Sequence, residues 1–365
     1  MTHALRIGVD ARELLGATTG VGRYLAELLV RWTARPDRER RRFLLYAPEA
    51  PPVRFESGTT ELRVVGSGRG TWWEQTSLRR AIARDVLDAF FAPAYTAPLG
   101  TDIPLAVTIH DISFVAHPEW FRMREGFRRR WLTRRAAERA QVIFTDSQFS
   151  RTELETRLHA DPGRIRVIPP GVTLRVAAPG RAERREPLVL FVGSLFNRRR
   201  LPDLIEAFAQ ATPDLPASRL VIVGDDRTWP RQDLQEVARG HGVAARTQFL
   251  RYVADSDLAD LYARAAAFVF LSEYEGFGLT PLEALGAGVP PVVLDTPVAR
   301  EVYRDAAVYV AAGDIRATAD AIRTLLCEPD RAAPLVARAP ELLRLYSWDA
   351  AADRTLAEIE GIVRR

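Results

Sequence analysis

Thirteen short apolar runs constrain this chain more than any other feature. In the first half they are LRIGVD, FLLYAP, ELRVVG, VLDAFFAP, PLAVTIHD, QVIFTDS and IRVIPPG. In the second half they are PLVLFVGS, RLVIVGDD, QFLRYV, AAFVFLS, PPVVLD and AAVYVAAGD. Continuous runs of this length fit strands buried on both faces, as in parallel sheets. Helical patterns lie between many of them. VGRYLAELLVRW carries Val21, Leu25, Leu28, Leu29 and Trp32 on one face, and LPDLIEAFAQA and ATADAIRTLLC repeat the pattern. A length of 365 residues is too great for one ordinary core. Strand-helix alternation on both sides of the middle therefore predicts an α/β protein of two doubly wound parallel-sheet domains.

The stretch 169–187, PPGVTLRVAAPGRAERREP, has no clear periodicity and marks the boundary. The expected division is 1–172, 173–345 and a terminal segment 346–365, whose helix is capped by Ser347 or Asp349. No apolar stretch approaches the roughly 20 residues of a membrane helix. The start, MTHALRIGVDAR, has no basic region followed by an apolar one, so no signal peptide is expected. Together with the single cysteine, Cys327, this fits a cytoplasmic protein.

Every basic residue other than histidine is an arginine; the chain contains no lysine. That excludes Schiff-base chemistry, including pyridoxal phosphate, and a Walker A lysine. The net charge of +4 does not by itself argue for nucleic acid, and no nucleic-acid motif is present. The arginines do cluster in RMREGFRRRWLTRR, residues 122–135, with Phe127, Trp131 and Leu132 interleaved. This reads either as a solvated amphipathic helix or as a contact for an anionic membrane surface or a phosphate-bearing acceptor.

Ligands of open parallel sheets bind outside the carboxyl ends of the strands, so the segments after strands are candidate sites. The richest is EYEGFGLTPLE, residues 273–283. Thr280, Pro281 and Glu283 fit a capping box, in which Glu283 only returns a hydrogen bond to the cap. Alternatively, Gly276, Phe277 and Gly278 open backbone amides to a diphosphate, and Glu275 and Glu283 accept sugar hydroxyls. After the strand FVGS come Arg198, Arg199 and Arg200 at a helix start, where cations oppose the helix dipole. A bound anion would resolve that conflict; a solvated charge run is the alternative. Gly20 and Gly22 precede a helix, but Leu25 stands where a dinucleotide fingerprint needs glycine. His110 and Asp111 end the run VTIHD, where a histidine is either structural or aimed at a phosphate or hydroxyl. No spacing characteristic of a metal site or a serine-hydrolase elbow is present.

The segment EGFGLTPLEALGAGVPPVV resembles the E-x7-E region of the family 4 retaining glycosyltransferases. TGVGRY, VTIHDISF, HPEWF, TDSQFSRTEL, VIPPGV, FVGSL, VIVGDD and YSWDAAA follow that family's order over nearly the whole chain. The resemblance implies the GT-B fold, two Rossmann-like domains facing a central cleft, with a last helix that returns to the N-terminal domain. It implies that Glu275 holds the donor sugar's hydroxyls and Glu283 those of the ribose. Gly276, Phe277, Gly278, Leu279 and Thr280 would line sugar and diphosphate, and Arg198 and Arg199 would grip the diphosphate. His110 would lie near the reaction centre, Gly20 and Gly22 would shape the N-terminal wall, and the backbone near Arg251 and Tyr252 would meet the base. Many members have Arg-Lys where this chain has Arg198-Arg199, which changes the geometry but keeps the charge.

The region HDISF to HPEWF is most like bacterial mannosyltransferases of surface polysaccharides, which suggests GDP-mannose as donor. The expected acceptor is a glycan or lipid-linked hydroxyl, and no metal or other cofactor is expected. Contact with the inner membrane face is a further expectation. The alternative is a catalytically weak nucleotide-sugar-binding partner of another glycosyltransferase.

Overall fold

The computed structural model describes residues 4–16, 20–53, 55, 58–68, 70–174 and 185–364. Each of the thirteen apolar runs contains a strand. The first seven are β1 (Leu5–Asp10), β2 (Arg41–Ala47), β3 (Thr60–Val64), β4 (Ala89–Ala92), β5 (Leu105–Thr108), β6 (Val142–Thr145) and β7 (Ile165–Val167). The others are β8 (Leu188–Val192), β9 (Arg219–Val223), β10 (Thr247–Leu250), β11 (Ala267–Phe270), β12 (Pro291–Leu294) and β13 (Val308–Val310). They form two wholly parallel sheets, ordered β3-β2-β1-β4-β5-β6-β7 and β10-β9-β8-β11-β12-β13. Parallel neighbours need crossovers that cover both faces, which is why the runs are apolar throughout and do not alternate.

The chain divides into two compact units. Unit 1 comprises 1–118, 123–171 and 346–365; unit 2 comprises 119–122 and 172–345. Residues 175–184 of the expected boundary stretch lie outside the described residues.

The helices used below are α1 (Gly20–Ala34), α2 (Met123–Arg139), α3 (Leu201–Ala211), α4 (Leu279–Gly286) and α5 (Trp348–Val363). In unit 1, α1 buries Leu25, Leu28, Leu29 and Trp32 on its sheet. Helix α5 completes the same core with Trp348, Ala352, Leu356, Ile359 and Ile362. Trp32 Nε1 donates to the Ala352 carbonyl at 2.9 Å, fixing the two helices together. Ser347 caps α5, accepting from the Ala350 amide. Gly171 admits this helix: a Cβ there would lie 2.2 Å from the Trp348 nitrogen. Among the described residues, no helix is long and apolar enough to cross a membrane.

Candidate active site

In unit 2 the sheet order reverses between β8 and β11, which are hydrogen-bonded neighbours. A crevice at such a reversal, outside the carboxyl ends, is where open α/β sheets bind ligands. Both candidate segments begin there. After β8 the chain makes a short 3-10 turn, Asn197–Arg199, and Arg200 in a left-handed conformation opens α3. Arg198 and Arg199 are nearly buried, each 9% exposed. Their guanidiniums are backed by rings, Arg198 over Phe196 at 4.5 Å and Arg199 over Phe270 at 4.2 Å.

After β11 the chain supplies Glu275. Arg199 Nη1 lies 3.0 Å from Glu275 Oε1 and Arg198 Nε 3.7 Å from the same oxygen. The Ser272 hydroxyl donates to it as well. The Glu273 amide donates to the Arg198 carbonyl at 2.9 Å, joining the two segments through the backbone. Arg200 turns away, pairing with Glu273 and with Asp203. Phe270, Ser272, Glu275, Thr296 and Tyr303 line a pocket beside this group. Guanidiniums that are planar, ring-backed and adjacent to a hydroxyl-binding acid suit a phosphorylated sugar.

The capping-box reading of residues 280–283 is corrected. Helix α4 begins at Leu279, and its N-cap is Gly278 at φ +87°. Thr280 and Pro281 lie inside the first turn, where proline costs little because its missing N–H would have no intrahelical partner. Glu283 is therefore the fifth helical residue and cannot reach back to the cap. It is buried, 3% exposed, and accepts from the Tyr262 hydroxyl at 3.4 Å. Gly278 is required by two constraints together: its positive φ, and a Cβ that would lie 2.1 Å from the Tyr303 hydroxyl oxygen. That hydroxyl donates to the Gly278 carbonyl at 2.9 Å. Gly276 and Phe277 are buried beneath the turn, and Leu279 and Thr280 are half-buried. Tyr252 is not brought to this group. It follows β10, the edge strand on the far side of β9, and is 75% exposed.

In unit 1, His110 follows β5 and Asp146 follows the adjacent β6. His110 Nδ1 lies 2.8 Å from Asp146 Oδ2, and Nε2 lies 3.1 Å from the Pro93 carbonyl. Both partners are acceptors, so the protonated ring, with a donor on each nitrogen, satisfies both contacts at once. Burial pushes its pKa down, but the Asp146 charge and hydrogen bond, with Asp111 and the Pro93 carbonyl, outweigh it, and the net direction is up. Tyr24 of α1 meets the ring edge-on, with centroids 4.9 Å apart. A hydrogen bond from Nε2 to a substrate would have to replace the one to Pro93. Gly20 opens α1 and Gly22 is buried in it; residues 17–19 of their loop lie outside the described residues.

Sequence reasoning missed a second cluster, at the reversal of the unit 1 sheet between β1 and β4. Asp10 ends β1, and Arg12 lies 3.0 Å from it and 2.6 Å from Glu74. The Thr96 hydroxyl, just after β4, donates to Glu74 at 2.7 Å. Burial lifts the Asp10 pKa to about 6; Glu74 adds to this and Arg12 opposes it. The available signal was D-A-R at the end of the first apolar run. Among the described residues, no group of three histidine, cysteine, aspartate or glutamate side chains is placed to hold a metal ion.

Two family models match in tandem. Glycosyltransferase Family 4 covers residues 18–176, and Glycosyl transferases group 1 covers 177–342. Among curated proteins, the chain is 31% identical over 276 residues to a D-inositol 3-phosphate glycosyltransferase of Rhodococcus opacus, covering 70% of this chain and 61% of that one. It is 27% identical over 266 residues to O-antigen chain mannosyltransferase B of Escherichia coli, covering 68% of each. The chain thus spans a little under two thirds of the Rhodococcus relative's length.

Among solved structures, sucrose-phosphate synthase from Thermosynechococcus elongatus superposes with a TM-score of 0.80 at 19% identity over 99% of both chains. HepE of Anabaena, in complex with UDP and glucose, gives 0.74 at 18% identity over 98% of this chain and 100% of that one. With the two doubly wound sheets and the Arg198–Arg199–Glu275 grouping, these matches establish that the chain belongs to the family 4 glycosyltransferases and has the GT-B fold.

Proposed function

We propose that this chain is a retaining, metal-independent glycosyltransferase. It moves a hexosyl group, with mannose from GDP-mannose the leading donor, to a glycan or lipid-linked hydroxyl in surface polysaccharide synthesis. The observation that carries the reading is the meeting of Arg198, Arg199 and Glu275 at the reversal of the unit 2 sheet. Each residue then has a role that its chemistry suits. Arg198 and Arg199 take the diphosphate and the charge it develops as the sugar leaves, which Mg²⁺ would otherwise carry. The first-turn amides of α4 add to that electrostatic support. Glu275 accepts from the sugar hydroxyls, which orients the ring and stabilises an oxocarbenium-like transition state. Glu283 addresses the ribose. The acceptor hydroxyl attacks from the face the diphosphate leaves, and a phosphate oxygen takes its proton. In unit 1, His110 has a raised pKa, so its charged form is favoured and suits contact with a phosphate or a sugar hydroxyl.

The mannose proposal draws on the O-antigen relative; the HepE structure holds UDP, so the base is what experiment must settle first. Thermal stabilisation by GDP, UDP, TDP and ADP, without metal and then with Mg²⁺, does this. A nucleotide at a hundred times its Kd stabilises by about 2.7 kcal/mol. Selective stabilisation by GDP without metal is the expected result. Selective stabilisation by UDP would replace the donor and keep the chemistry; silence from all four would remove the nucleotide site. Glu275→Gln, folded and still nucleotide-binding, is expected to lose at least tenfold in turnover. Arginine at 199 favours a second reading, a binding partner with weak activity, which transfer or donor hydrolysis by the isolated chain would eliminate.

A further inference from the structure

We propose that one face of unit 1 docks on an anionic lipid surface through α2. The helix carries two faces of opposite character. Gly126, Leu132, Ala136 and Ala137 are buried inward. On the outside, Met123, Phe127 and Trp131 are 89%, 66% and 49% exposed. They are spaced four residues apart and so form one stripe along the helix. Exposed Arg124, Arg128 and Arg134 accompany the stripe, and none of these three makes an ion pair among the described residues. Arg129 and Arg135 have Glu125 and Glu138 as partners, and the Arg135 guanidinium lies 5.9 Å from the Trp131 ring.

A second element presents similar residues on the same face of the sheet. The segment Thr71–Arg84 crosses from β3 to β4, and α2 crosses from β5 to β6. Both crossovers advance in the same direction along the sheet, opposite to that of α1, so right-handedness puts them on the same face. There Trp72 is 79% exposed, with Arg80 and Arg84 exposed after it. Apolar stripes flanked by guanidiniums match the layering of a membrane interface, where acyl boundaries take the rings and headgroup phosphates take the cations. A nucleic acid would match the charge but not the methionine and phenylalanine at the centre of the stripe. The proposal stands apart from the transferase reading, because lipid binding is measured without donor.

The test is flotation of the full chain with phosphatidylcholine vesicles, alone or containing phosphatidylglycerol. Binding is expected only to the anionic vesicles, weakening at least tenfold at about 1 M salt, where the screening length is about 3 Å. A Phe127→Ser, Trp131→Ser double variant and an Arg124→Gln, Arg128→Gln double variant are each expected to lose at least tenfold, with unchanged melting temperature. Val30→Ser, on the opposite face of the sheet, is expected to bind as the parent does. Failure to bind either vesicle, equal binding to both, or undiminished binding by both double variants would overturn the proposal, as would retention on nucleic acid without lipid binding. Nucleotide stabilisation, measured on the same variants, separates loss of lipid binding from loss of the donor site.

Discussion

His110 is held by a carboxylate on one ring nitrogen and a backbone carbonyl on the other, a position that favours its charged form. The sign of the resulting pH dependence follows. Its pKa is raised in the fold, so its contribution to stability is complete below the unfolded value of about 6.5 and is lost as pH rises through the folded value. Asp146→Asn removes the main source of that shift. The stability difference between parent and variant is expected to be widest near pH 5.5 and to narrow as pH rises, measured by denaturant titration across pH. The His110 ring resonance should titrate at lower pH in the variant, which a merely spatial role for Asp146 would not produce. Glu275, Arg198 and Arg199 were legible in the sequence because each lies within a few residues of a strand end. Asp146 also follows a strand directly, but nothing in the sequence pairs it with His110, 36 residues away; Glu74, 62 residues from Arg12, lies inside a crossover and away from any strand end. Pairs made by neighbouring crossovers leave no local pattern to read.

At the scale of elements, the strands were legible because double-sided burial leaves an unbroken apolar run. Helix starts were less so. The residues T-P-L-E satisfy a capping pattern, yet α4 begins earlier, where Gly278 alone can adopt the required backbone and clear Tyr303. Local hydrogen-bond chemistry proposed one start; a tertiary contact to a tyrosine 25 residues away selected another. Gly278→Ala should therefore destabilise unit 2 by about 1–3 kcal/mol, from the positive φ and the displaced tyrosine together. Calorimetry would measure it, and nucleotide stabilisation should fall with it because α4 presents its first-turn amides from this residue onward. A variant as stable as the parent would mean that Tyr303 gives way freely.

At the scale of the whole molecule, the core of unit 1 depends on residues that follow unit 2 in sequence. Deleting residues 346–365 removes Trp348, Leu356, Ile359 and Ile362 from that core and leaves the Trp32 indole without the Ala352 carbonyl. By ordinary burial scales the loss exceeds about 5 kcal/mol. The truncated chain is expected to lose the folded signal of unit 1 in proteolysis and calorimetry while unit 2 keeps its own transition. The general role of this tail was legible as a terminal capped helix, and its destination came from the family resemblance; nothing in its own sixteen residues says which sheet they cover.

This return of α5 also has a consequence for biosynthesis. Domains usually fold in the order in which the ribosome makes them. Here the sheet of unit 1 precedes unit 2 yet lacks one wall until α5 has emerged, whereas most of unit 2 is continuous and already released by then. Unit 1 would be begun before unit 2 and finished after it. A message broken before residue 346 would thus yield a chain in which the core of unit 1, made before unit 2, is open to chaperones and proteases.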